Sequence, residues 1–96
     1  MIDVHVHIAV HLEIQGRINY NDLLMILGED KIYRIETAEK GLKIVYGDYA
    51  LTIRLEHRVV DSTTIIEIVA ETTRMGLVKL AEKVDNLVGR VLRLVI

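Results

Sequence analysis

The sequence predicts an α+β domain in which a curved antiparallel sheet of about five strands packs on a long C-terminal helix. Three observations support this fold class. Residues 2–14 alternate between aliphatic and other side chains, short turns separate the next hydrophobic segments, and residues 77–95 repeat apolar side chains every three or four positions. The predicted order is β-α-β-β-β-β-α, a helix-grip-like arrangement, and the 96 residues form a single domain, 1–96.

The first strand carries all but one of the histidines of the chain. Every even position from 2 to 14 is aliphatic, and the odd positions are Asp3, His5, His7, Ala9, His11 and Glu13. Because successive side chains of a strand point to opposite faces, this pattern predicts one long strand with an apolar face and a histidine face. A short helix then fits residues 19–27, capped by Asn19 or Asn21.

Four further strands are predicted at residues 31–38, 42–46, 49–60 and 63–73. The dipeptide Gly47-Asp48 predicts a two-residue type II′ turn, in which the glycine takes a positive φ. Alternation within residues 49–60 places His57 and Val59 on the inner face of that strand. A lone histidine at such a position is typical of a hydrogen-bonded core residue.

The last element is the clearest helix. Its apolar positions form a stripe wider than a coiled-coil seam. These positions are Leu77, Leu80, Ala81, Val84, Leu87, Val88, Val91, Leu92 and Val95. Gly89 interrupts the helix at a cost of about 1 kcal/mol relative to alanine, so we expect a close backbone approach there.

Composition excludes several classes of function. The net charge is −2, basic residues are not clustered and tyrosines are the only aromatic residues, so we expect no nucleic-acid partner. Cysteine is absent, and no apolar run approaches the roughly 20 residues of a membrane span, so a cytoplasmic location is expected. The abundance of Glu, Lys, Arg and Ile is compatible with a thermophilic source.

An aliphatic content this high in so short a chain leaves little polar surface. Half of the residues are hydrophobic (51%), and nearly all of these are Ile, Val and Leu. We therefore expect another subunit to cover part of the surface, either in a homodimer or in a larger complex.

The C-terminal third resembles a known family. Residues 61–68, Asp-Ser-Thr-Thr-Ile-Ile-Glu-Ile, follow the pattern of a polar turn and a last strand, and residues 75–80, Met-Gly-Leu-Val-Lys-Leu, lead into the terminal helix. Together with the element order, these segments resemble a short member of the START/Bet v1-like (SRPBCC) helix-grip superfamily.

The resemblance implies a site for a hydrophobic small molecule or lipid-like ligand between the sheet and the terminal helix. Its lining would be Tyr33, Leu51, Ile53, Leu80, Val84, Leu87, Val88 and Val91. The simpler interpretation is that these side chains fill the core.

A divalent-metal site is the third possibility. His5 and His7 lie on one strand face with Cα atoms about 6.6–6.8 Å apart, a spacing that suits chelation. His11 lies about 13 Å from His7, too far to share an ion on a regular strand. The alternative is a solvated or subunit-facing polar strand face. The face that holds Glu67 and Glu71 predicts cross-strand ion pairs.

Three functions therefore stand in order. Binding of an apolar ligand comes first, a non-enzymatic dimerising module that assembles through its first strand comes a close second, and a metal-dependent enzyme using His5 and His7 comes last. No nucleophile, phosphate-binding or dinucleotide motif is present, so we expect neither catalysis nor a cofactor.

Overall fold

The computed structural model describes residues 4–27, 32, 34–38 and 41–95, and it confirms the predicted fold class and element order. The elements are β1 (Val6–Gln15), α1 (Tyr20–Leu27), β2 (Arg34–Ala38), β3 (Gly41–Val45), β4 (Ala50–Arg58), β5 (Thr63–Thr72) and α2 (Leu77–Arg93). All five strands pair antiparallel in one open sheet with the order β1-β5-β4-β3-β2.

The sheet order brings the first strand beside the last. β1 and β5 pair over their full lengths, from Val6 opposite Thr72 to Gln15 opposite Thr63. The hairpins β2–β3, β3–β4 and β4–β5 complete the sheet. β1 therefore lies at one edge and β2 at the other.

The core lies between one face of the sheet and the two helices. α2 packs over β1 and β5 and against α1. The buried residues of α2 recur at spacings of four and three: Leu80, Val84, Leu87 and Val91. They pack with inner-face residues of β4 and β5, among them Leu51, Ile53, Ile66, Ile68 and Ala70. Each fully buried aliphatic side chain contributes about 1.5–3 kcal/mol, so this packing is what holds the helix on the sheet.

The cap of α1 is Asn19. The Asn19 side-chain oxygen accepts from the backbone N–H of Asp22 at 3.0 Å, and the Asp22 carboxylate accepts from the backbone N–H of Asn19 at 3.0 Å. This reciprocal pair satisfies two amides that an uncapped helix would leave open. Of the two caps predicted, the structure selects Asn19.

Two strands are shorter than predicted. β1 begins at Val6, because β5 ends at Thr72 and offers no partner to earlier residues. β4 ends at Arg58, and Val59 lies in the following turn with 84% of its surface exposed. The prediction that Val59 faces the core is therefore wrong, since the chain leaves the ladder before the alternation reaches it.

The two glycine predictions are also wrong in detail. The β3–β4 loop has two residues, closed by the Tyr46 N–H donating to the Tyr49 carbonyl at 2.9 Å. Gly47, however, does not have a positive φ, so the turn is not type II′. At Gly89 an added Cβ would meet nothing within 4 Å, so no close backbone approach explains that glycine.

Candidate functional site

The free edge of β1 is the most distinctive surface of the protein. β1 is ten residues long, and in the described part of the chain it pairs with β5 alone. Its ladder runs without a bulge, since consecutive residues of β1 meet consecutive residues of β5. The opposite side of β1 thus presents a long, regular row of backbone groups.

The hydrogen-bond pattern shows which backbone groups face outward. The Gly16 N–H donates to the Ser62 carbonyl at 2.7 Å, and this pair continues the β1–β5 register. In an antiparallel ladder, hydrogen-bonded pairs alternate with non-hydrogen-bonded ones. The even-numbered residues of β1 therefore bond to β5. The amides and carbonyls of the odd-numbered residues, from His7 to Gln15, point to the free edge.

The inner face of β1 is only partly covered. Four of its aliphatic side chains touch the core yet are half-buried, and burial is complete only at Ile14. The half-buried residues are Val6, Ile8, Val10 and Leu12. An edge strand packed under a helix would normally bury such residues more fully, so this row continues into an apolar surface.

That surface continues onto α2. Beside the buried stripe of the helix, Leu77, Ala81, Val88 and Leu92 form an apolar flank. Leu77 is 59% exposed, Leu92 is 45% exposed and Ala81 is also exposed. Val88 is half-buried.

Two contacts orient this flank. On the other side of the buried stripe, the Lys83 ammonium lies 5.9 Å from the centre of the Tyr49 ring, next to the start of β4. Arg90 donates to the Ile26 carbonyl of α1 at 3.5 Å. The basic side of α2 thus faces β4 and α1. The apolar flank, opposite to it, lies above the free edge of β1.

The outer face of the sheet carries two similar rows of charged side chains. In one row, Glu71 lies between His7 (Nδ1 to Oε2, 4.0 Å) and Lys43 (Nζ to Oε1, 3.2 Å). In the other, Glu67 lies between His11 (Nδ1 to Oε1, 3.9 Å) and Arg54 (3.7 Å). The predicted cross-strand ion pairs are therefore present.

The sequence offered a signal that links the histidines to these carboxylates. His7 and His11 are four residues apart on β1, as are Glu67 and Glu71 on β5, and antiparallel pairing matches both. The sequence argument placed each pair on a strand face but did not assign β1 and β5 as neighbours. Without that assignment, the contact between the two pairs could not be predicted.

His5 and His7 stack on the outer face with ring centroids 6.2 Å apart. Among the described residues, no group of three or more His, Cys, Asp or Glu side chains is arranged to hold a metal ion. His11 instead lies between two carboxylates, with Nε2 at 3.4 Å from Glu13. A metal site on one copy of β1 would thus rest on two histidines alone.

His57 lies on the inner face of β4 and is half-buried. Its Nδ1 lies 3.3 Å from the hydroxyl of Thr64, which is fully buried. This position agrees with the prediction of a hydrogen-bonded histidine at the margin of the core.

The residues predicted to line an apolar ligand site belong to the core. Leu51, Ile53 and the four buried residues of α2 are at most 5% exposed, and Val88 packs against them. Tyr33 lies outside the described residues. Three surface clefts, of about 350, 320 and 250 Å³, lie elsewhere: at the β3–β4 turn, on the outer face of β4 and β5, and on the outer face of β1 and β5. A ligand between sheet and helix would have to displace this packing.

Comparisons with protein-family models, curated proteins and solved structures find no match to this chain. The resemblance to the helix-grip superfamily and its implied ligand therefore stay predictions. Neither of the two described helices has both the length and the apolar character needed to cross a membrane.

Proposed function

We propose that this protein is an assembly module that forms a homodimer by pairing β1 with β1 of a second copy. The observation that carries this proposal is the uninterrupted ten-residue free edge of β1. Antiparallel pairing across a two-fold axis would join the two sheets into one continuous sheet, with both pairs of helices on the same side.

The edge of β1 lacks the devices that keep exposed strands apart. Natural edge strands are protected by proline, by lysine, by bulges or by short length. The chain has no proline, β1 contains no lysine, and its ladder has no bulge. β2, at the other edge, has only five residues and carries an Arg34–Glu36 ion pair at 2.6 Å. β1 is thus the edge suited to pairing.

The side chains around the edge also suit a second copy. The half-buried inner row of β1 and the apolar flank of α2 meet at this edge, and a two-fold axis places each flank opposite its equivalent. Apolar surface next to a free edge is expected to be buried by a partner. On the outer face, antiparallel pairing brings the histidine-rich first half of β1 beside Glu13 of the second copy, so the charges complement each other.

A proline substitution tests the edge itself. Because the amide of Ala9 points to the free edge, Ala9→Pro removes a donor to the second copy and leaves the β1–β5 ladder intact. We expect sedimentation velocity to show a dimer for the wild-type protein and a monomer for Ala9→Pro, with nearly unchanged thermal stability. In Val10→Pro the lost amide bonds to β5, so that variant should unfold at a lower temperature.

A pair of charge substitutions locates the interface on one edge. Leu92→Glu places a carboxylate on the apolar flank of α2, whereas Ile35→Glu places one on β2, and the two residues are similarly exposed (45% and 49%). Leu92→Glu should weaken the dimer by at least about tenfold, and Ile35→Glu should not. A wild-type monomer at all concentrations, or a dimer lost only in Ile35→Glu, would rule out pairing through β1.

A further inference from the structure

We infer that the paired β1 strands form two equivalent zinc sites, each using His7 of one copy and His11 of the other. This inference rests on the proposed dimer and adds to it a ligand, a strand register and a role for the histidine face. Each site would be incomplete without the second copy, in agreement with the absence of a three-ligand group among the described residues of one chain.

The register follows from a near-symmetry of β1 about Ala9. Residues 6–12 read Val-His-Ile-Ala-Val-His-Leu, so positions equally distant from Ala9 carry the same kind of side chain. An antiparallel pair centred on Ala9 sets His7 opposite His11 of the second copy, with aliphatic residues opposite aliphatic ones. It also sets His5 opposite Glu13 of the second copy, a favourable cross-strand pair.

The backbone accepts this register. Pairs centred on Ala9 join odd-numbered residues to odd-numbered residues, and these are the residues whose amides and carbonyls face the free edge. Opposed side chains of such pairs have Cβ atoms about 5.5 Å apart. His7 and His11 of the two copies therefore lie within reach of one ion, although within one strand they are about 13 Å apart.

The carboxylates prepare each histidine as a ligand. Glu71 lies beside Nδ1 of His7, and Glu67 lies beside Nδ1 of His11. This leaves Nε2 of both rings for the metal. A carboxylate on the far nitrogen of a histidine fixes its ring orientation and raises its affinity for zinc. Lys43 and Arg54 hold these two carboxylates from their other side.

Glu13 supplies the third ligand. Its carboxylate already lies 3.4 Å from Nε2 of His11 on the same strand. Each site would then hold zinc through two imidazoles and one carboxylate, and water would complete the tetrahedral coordination. Zinc is favoured over magnesium or calcium because imidazole nitrogens dominate the site.

Complementation between variants tests the shared site. In zinc titrations of untagged protein followed by calorimetry, the wild type should bind one zinc per chain, and His7→Asn and His11→Asn should each lose binding. Mixing the two variants should restore binding, because a mixed dimer keeps one intact site with His7 from one chain and His11 from the other. His5→Asn, the matched control, should bind like the wild type.

Sedimentation velocity with and without zinc separates this inference from the proposed dimer. Zinc should lower the dissociation constant of the wild-type dimer by at least about tenfold, because it binds only the paired state. A dimer that binds no zinc, or variants that fail to complement, would overturn the shared site and leave the dimer standing. Loss of zinc in His5→Asn but not in His11→Asn would also overturn it, in favour of a site on one strand. A protein that stays monomeric with and without zinc would refute the dimer itself.

Discussion

The hydroxyl of Thr64 donates to the carbonyl of Gly16 at 2.6 Å and thereby fixes the point where the chain leaves β1. The same oxygen accepts from the backbone N–H of Ile18 at 3.3 Å. Thr64 is fully buried, so these bonds form away from water. One side chain of β5 thus satisfies two backbone groups in the segment that connects β1 to α1.

Replacing Thr64 by valine should therefore destabilise the protein. Valine keeps the shape of the side chain but leaves a buried carbonyl and amide without a partner, which costs about 1–3 kcal/mol. Urea denaturation at one fixed protein concentration measures the change. Thr52→Val on the outer face of β4 is the control and should change the free energy of unfolding by less than about 0.5 kcal/mol. Equal effects of the two substitutions would contradict this account.

Truncation of α2 should reveal a filled core. Leu80 is fully buried, and Leu80→Ala should lower the free energy of unfolding by about 2–5 kcal/mol through lost transfer energy and a residual cavity. Val78→Ala, at a position 72% exposed, should have little effect. A small loss at Leu80 would indicate a loosely packed interior and favour a ligand cavity instead.

Gly89→Ala should stabilise the protein. The glycine lies inside α2, an added Cβ meets nothing within 4 Å, and alanine is favoured in helix interiors by about 1 kcal/mol. The midpoint of thermal unfolding should rise. An unchanged or lower midpoint would show that this position contacts something in the assembled state, and comparison above and below the dimer dissociation constant would identify that state.

Gly41→Ala should have the opposite sign. A Cβ at Gly41 would overlap the backbone carbonyl of Ile53 and approach Cγ of Arg54 to 2.9 Å. Backbone cannot move without disturbing the β3–β4 ladder, so we expect a loss of about 1–3 kcal/mol. Gly47→Ala, where an added Cβ meets nothing within 4 Å, should be tolerated. Chemical denaturation of both variants decides the matter.

Native mass spectrometry of freshly purified protein separates assembly from ligand carriage. We expect the mass of a dimer with no additional small molecule, because the residues predicted to line a ligand site are buried against one another. An extra mass of a few hundred daltons that leaves on denaturation would support the helix-grip interpretation, and fragmentation would then identify the ligand class.

Local patterns accounted for most of the secondary structure. Alternation identified β1, β4 and β5, and the three- and four-residue repeat identified α2, because these periods arise within a single segment of chain. The errors lie where a partner decides the outcome. β1 begins at Val6 only because β5 ends at Thr72, and Val59 turns outward because β4 has already ended.

The candidate site depended on tertiary structure in the same way. The sequence by itself determined the fold class, the element order and a histidine-bearing face on an apolar strand. It did not determine that β1 lies at an edge, that Glu67 and Glu71 contact its histidines, or that α2 turns an apolar flank toward that edge. Those properties belong to pairs of segments far apart in the chain, and only the packing of the sheet and helices brings them together.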